Sequence, residues 1–178
     1  KVVALIVDHS LQKNSADVAH QAKKELTKLG YENIEIRKIT VEVTDGIEAS
    51  ARRARYVALN EVAQQHNAVA IFMGHTKDDQ AETVLLGLAR GSGTRSLSGM
   101  AQRIDNYRRP LLSITRAQTE AACEEAGIKF WRDPHNQSME FTRVRVRENV
   151  LPMMEKEIGP GRSEEHTSEL QSRFGISY

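Results

Sequence analysis

The chain has 178 residues, 28% of them charged, and a formal net charge of +1. That length allows one sizeable domain with its own core, and so small a net charge leaves any polyanionic partner to local basic clusters. Aromatic residues, at 5%, are too few for a base-stacking platform, and the single cysteine, Cys123, excludes an internal disulfide and a multi-cysteine zinc site.

One unpaired cysteine makes a reduced, cytosolic compartment the default. No apolar run reaches membrane-spanning length, and no signal-peptide pattern opens the chain. The first residues, "KVVALIVDHS", lack an initiator Met and run straight into a strand. Such a continuous apolar run suits a central parallel strand, so more chain is expected before residue 1. Just past its end stand Asp8 and His9, which read either as an Asx-type turn with a surface histidine or as part of a pocket.

A helix follows from about Asn14 to Leu29, closed by Gly30. "IEIRKITVEV" alternates as a second strand through Val43, and a long helix runs from about Gly46 to His66. "ARRARY" places Arg52, Arg53 and Arg55 on that helix, where arginines suit either a solvated face or phosphate neutralisation. "AVAIFMGH" reads as a third, buried strand ending at Gly74 and His75.

Behind it, "GHTKDDQAET" crowds His75, Asp78, Asp79 and Glu82 into the mouth of a helix over residues 76–88. Ala81, Val84, Leu85 and Leu88 recur at helical spacing and should face the sheet. Thr76 with Asp79 three residues on makes a near capping box. That explains Asp79 as a cap, but not the acids beside it. Asp79 and Glu82 share a face at the carboxyl end of a strand, where α/β folds bind ligands. They read as a site for Mg²⁺ or a cationic substrate. Strands ending in "DH" and "GH" predict a shared pocket.

"ARGSGTRSLSGM" joins Arg90 and Arg95 to glycines and serines, which suits a linker or a phosphate-facing loop. A short "YRRPLL" strand, a helix over about 116–125 and a stop at Gly127 come next. "FTRVRVREN" carries Arg143, Arg145 and Arg147 at period two. As a strand it would put all three on one face; as a helix only Arg143 and Arg147 would pair. Either suits an RNA backbone, against a solvated surface with glutamate partners. The repeated βα units predict an α/β fold with a doubly wound, Rossmann-like parallel sheet. "RSEEHTSELQS" resembles a translated sequencing-adapter oligonucleotide, so residues 1–161 are expected to form the domain and 162–178 a non-native tail.

Taken in order, "VDHSLQ", "ARRARY", "GHTKDDQAETVLLGLARGSGTRSLSGM", "RPLL" with "TRAQTEAACEEAGIKFWRDPHN", and "FTRVRVRENVLP" resemble the bacterial tRNA(Ile)-lysidine synthetase family of the N-type ATP pyrophosphatase, or PP-loop, superfamily. The resemblance covers residues 1–161 and implies an adenine nucleotide α-hydrolase-like sheet. It implies a cytoplasmic carbon–nitrogen ligase that uses ATP and Mg²⁺ to adenylate C2 of the wobble cytidine in the CAU anticodon of isoleucine tRNA. The ε-amine of L-lysine then displaces AMP to give lysidine. Carried onto this sequence, Asp79 would position lysine or Mg²⁺, with Asp78, Glu82 and His75 beside it. Arg55 would stabilise charge on the adenylated intermediate, and Asp8, His9 and Gly74 would lie near the nucleotide. Arg90, Arg95, Arg143, Arg145 and Arg147 would meet tRNA or phosphate. The resemblance leaves a homodimer open and implies no membrane partner. The family's Ser-Gly-Gly-x-Asp-Ser loop does not occur in the sequence, so the chain is expected to be a piece, truncated at its first strand, with little activity alone. A sulfur-inserting relative generally needs more cysteines. A nonenzymatic nucleotide-binding module would not need an acidic site beside an arginine-rich face.

Overall fold

An apolar run closing on an aspartate sets the first element. Ala4–Asp8 forms strand β1, which pairs in parallel with β2 (Ile34–Lys38) from Ala4↔Ile34 to Asp8↔Lys38. The structure, a computed structural model, describes residues 1–10, 14–44, 46–91, 97–133 and 138–159. Residues 1–71 with 122–131 make one compact unit, and residues 72–121 with those from 132 onward make a second. The proposed non-native tail lies outside the described residues.

In the first unit, parallel pairing needs a crossover, and helix α1 (Ser15–Lys28) supplies it, packing on both strands. Its end is a Schellman motif: Gly30, at φ 87°, donates its N–H to the carbonyl of Thr27 (3.0 Å), and Tyr31 donates to that of Leu26 (3.1 Å). Helix α2 (Ile47–Gln65) buries Ser50, Ala58, Val62 and Ala63 and packs on β1. It ends the same way with Asn67 at φ 50° in the glycine's place.

The second strand is shorter than its alternation predicts. Its last ladder bond runs from the N–H of Ile39 to the carbonyl of Asp8 (2.8 Å), after which β1 turns away through Ser10 at φ 53°. Without a neighbouring strand among the described residues, residues 39–43 leave the sheet, and Val43 is exposed.

In the second unit, β3 (Ile71–Phe72, whose first residue belongs to the first unit), β5 (Tyr107–Arg108) and β4 (Arg103–Ile104) form a three-stranded sheet in the order β3–β5–β4. β4 and β5 are an antiparallel hairpin, and the N–H of Met73 donates to the carbonyl of Arg108 (2.8 Å). Pro110, with no N–H to give, follows two residues after β5 and limits the ladder. The expectation of a third, buried strand over "AVAIFMGH" is corrected accordingly. Ile71 is buried, but Val69 is 91% and Phe72 72% exposed.

Helix α3 (Lys77–Ala89) follows, then α4 (Arg116–Glu125), which ends in a third Schellman motif at Gly127. "FTRVRVREN" is helical: α5 (Thr142–Arg145) runs into a π-helical turn (Val146–Val150) and on into α6 (Leu151–Ile158). No described helix is long and apolar enough to cross a membrane.

If Ile71 is the inward anchor of β3, Ile71→Ala should cost about 2–5 kcal/mol in a denaturant titration, as large-to-small core changes do. Val69→Ala should stay within about 0.5 kcal/mol, as surface changes do. Equal costs at the two positions would contradict this account of β3.

Candidate functional site

Chain reversal at the end of β1 builds the first cluster. Asp8 is buried, and its Oδ1 accepts the N–H of Ser10 (2.8 Å), so the Asx-turn geometry is present. His9 follows at half-buried depth, with its Nδ1 buried and without a hydrogen-bond partner among the described residues. Burial pushes the His9 imidazole below 6.5, and the Arg55 charge lowers it further against an upward pull from Asp8. Arg55 is therefore the member of "ARRARY" that the structure brings to the end of β1. Arg53 donates to the hydroxyls of Thr44 and Ser50, and Arg52 lies over the Tyr56 ring at 5.1 Å.

The second cluster is the start of α3. Thr76 caps the helix and Asp79 completes a capping box. Asp79 Oδ2 accepts the backbone N–H of Thr76 (2.8 Å) and its hydroxyl (3.0 Å), while Oδ1 lies 3.5 Å from the Arg116 guanidinium. Asp78 Oδ2 accepts the backbone N–H of Arg116 at 2.7 Å and so caps α4. His75 and Gly74 lie on the turn before the cap. A Cβ at Gly74 would meet nothing within 4 Å.

Glu82 is the surprise on this helix. Its periodicity predicts Ala81, Val84, Leu85 and Leu88 as the inward face, yet these are half-buried or exposed and Glu82 is the fully buried residue, at 0% exposure. The cause is the cover laid over it by the arginine-bearing helix. Arg147 holds Glu82 Oε1 through Nε (2.7 Å) and Nη2 (2.6 Å), and Arg143 Nη1 stands 3.5 Å from Oε2. Burial nonetheless pushes the Glu82 carboxyl above 4.5, with the Asp79 charge adding to the rise and the two guanidiniums opposing it.

Helical geometry divides the three arginines. Arg143 and Arg147, four residues apart, face Glu82 between the buried Val144 and Val146. Arg145 points elsewhere and donates to the carbonyls of Met139 (2.8 Å) and Glu140 (2.9 Å), bracing the turn that starts the helix. Arg90 is exposed at the C-cap of α3, and Arg95 lies outside the described residues. Sequence reasoning missed Arg116, whose link to Asp78 and Asp79 spans 38 and 37 residues and leaves no local signal. No group of three or more His, Cys, Asp or Glu side chains placed to hold a metal ion occurs among the described residues.

A family model described as a PP-loop domain matches residues 1–154. Proteins named tRNA(Ile)-lysidine synthase are similar: that of Thermobifida fusca is 48% identical over 89% of this chain and 49% of its own length. That of Leifsonia xyli is 47% identical over 90% of the chain and 48% of its own length. The chain thus spans about half the length of the curated relatives it matches. Among solved structures, the U34-tRNA thiolase of Methanococcus maripaludis superposes with a TM-score of 0.72 over 99% of this chain and 63% of that one, at 18% identity. The shared feature is the fold.

Because Glu82 is pushed above 4.5, the folded chain keeps a proton on it at pH values where the unfolded chain has lost one. The contribution of Glu82 to stability should therefore fall as pH rises from 4.5 through the raised value. Denaturant titrations over this range should show the wild type losing stability relative to Glu82→Gln as pH rises; an unchanged difference between the two would contradict the assignment.

Proposed function

Because this chain belongs to the PP-loop domain family, we propose that it is a piece of the PP-loop domain, with little activity by itself, of an enzyme that uses ATP to ligate lysine to C2 of the wobble cytidine of CAU-anticodon isoleucine tRNA. The observation that carries the reading is the acidic first half of α3, where Asp79 and Glu82 meet guanidiniums from Arg116, Arg143 and Arg147. The similarity to tRNA(Ile)-lysidine synthases over about 90% of the chain supports it.

The chemistry has two steps. The cytidine O2 attacks the α-phosphorus of ATP and pyrophosphate leaves. The lysine ε-nitrogen then attacks C2, and AMP departs with that oxygen. An ε-ammonium must lose a proton before it can attack, so an acidic pocket that binds it and takes the proton is what the second step needs. Asp79 takes this role through Oδ1, the oxygen its cap leaves to the 3.5 Å contact with Arg116. Asp78, Glu82 and His75 surround it in the sequence of the same turn.

In the first unit, Asp8, His9 and Arg55 take the nucleotide side of the reaction, with Arg55 neutralising charge on the adenylated cytidine. In the second, Gly74 leaves room for close approach of a ligand. Arg143 and Arg147, with Arg90, Arg95 and Arg145, meet the RNA backbone through the positive charge of their guanidiniums. As the alternative to lysine at Asp79 Oδ1, Mg²⁺ would meet a single carboxylate oxygen there, a usual share of protein ligands for that ion. Bound there it would neutralise the departing pyrophosphate.

Asp79→Asn in the full-length protein is the direct test. Asparagine keeps an oxygen for the Thr76 N–H, so the stability cost should stay near 1 kcal/mol or below. Lysidine formation should fall by about 100-fold or more, as when a charged group acting on the reacting centre is removed. A variant that melts earlier but ligates lysine at the wild-type rate would leave Asp79 as a cap alone.

A further inference from the structure

Gln80 makes a contact that neither the acids nor the arginines of this region account for. Its side-chain nitrogen donates to the carbonyl of Met100 (3.1 Å), and its side-chain oxygen accepts the N–H of the same residue (2.7 Å). One amide thereby closes a two-point clasp on one residue's backbone, as a neighbouring strand would. Gly99 makes the approach possible. Its φ is +65°, and a Cβ there would come within 2.6 to 2.8 Å of three atoms of the Gln80 amide, closer than nonbonded atoms tolerate.

The clasp is one link in a closed circuit. From Met100 the chain passes to Ala101, whose carbonyl accepts Nη1 of the buried Arg109 (2.8 Å), and to Gln102, whose carbonyl accepts the Arg109 N–H (2.9 Å). The Arg108 carbonyl takes the N–H of Met73, which leads back through His75 to α3. Two further ties hold the same helix start: Lys77 donates its N–H to the Ile114 carbonyl (2.9 Å), and Asp78 accepts from Arg116. Both of these act on its first two residues. Gln80 is the tie next to Asp79 on the other side.

We propose that Gln80 is a positioning residue for Asp79: by clasping Met100 it locks the first turn of α3 to the hairpin segment 100–109 and so sets the direction of the Asp79 carboxylate. The consequence for lysine rests on the ligase reading above; the clasp itself does not.

Two measurements test it separately. Amide hydrogen exchange at Met100 in this chain, corrected for intrinsic rates, should speed up about tenfold in Gln80→Ala, the loss expected for one hydrogen-bonded partner, and similarly in Gly99→Ala. Gln80→Glu should be open at neutral pH, where a carboxylate faces the Met100 carbonyl. It should close again near about pH 4, where the protonated carboxyl can donate to that carbonyl. In the full-length protein, kcat/KM for lysine should fall about tenfold in Gln80→Ala, with KM for ATP unchanged. Unaltered exchange at Met100 in Gln80→Ala would remove the clasp. Faster exchange with unaltered lysine kinetics would make it structural only. Absence of ligation by the wild type would count against the ligase reading and leave exchange to decide the clasp.

Discussion

A carboxylate with no exposed surface is costly unless cations meet it, and Glu82 is such a carboxylate. Its presence in the middle of α3 dictates what can cover that helix. A strand at residues 143–147 would turn all three arginines one way; a helix sends Arg143 and Arg147 to Glu82 and frees Arg145 to brace its own first turn. The π-helical turn begins within this stretch, at Val146, where a widened backbone commonly accompanies a functional demand. The burial of one acid thus fixes both the conformation of a distant segment and the direction of two guanidiniums.

The same economy governs the aspartates. Asp79 closes the capping box with one oxygen and faces Arg116 with the other, while Asp78 starts α4 by accepting the Arg116 N–H. On the proposed reading, structural and chemical duties therefore share atoms. A helix start tied at Lys77, Asp78 and Gln80 would lose little entropy on binding a ligand, as the proposed orientation of an amine for attack requires.

Much of this was legible in the sequence where the cause is local. Thr76 and Asp79 announce their cap because a capping box needs only residues three apart. Gly30 and Gly127 announce helix ends because only a positive φ closes a Schellman motif cheaply. The end of β1 at Asp8 and the start of α3 behind Gly74 were legible from an apolar run closing on a polar residue. What depends on partners far along the chain was not legible. Arg116 reaches Asp79 across 37 residues, and Gln80 reaches Met100 across 20. Apolar periodicity misled at α3 because an ion pair, rather than an apolar contact, covers its most buried position. It misled at Val69 and Phe72 because an apolar run does not say how many neighbours a strand will find.

The central claim is that this acid–arginine arrangement serves ligation of lysine to an adenylated cytidine. The most direct measurement is the product balance of the full-length protein incubated with ATP, Mg²⁺, lysine and unmodified CAU-anticodon isoleucine tRNA. The account predicts lysidine in the nucleoside digest, with AMP and pyrophosphate formed in equal amounts to it. Release of ADP and phosphate, or a thiolated base formed from a sulfur donor in place of lysidine, would contradict it.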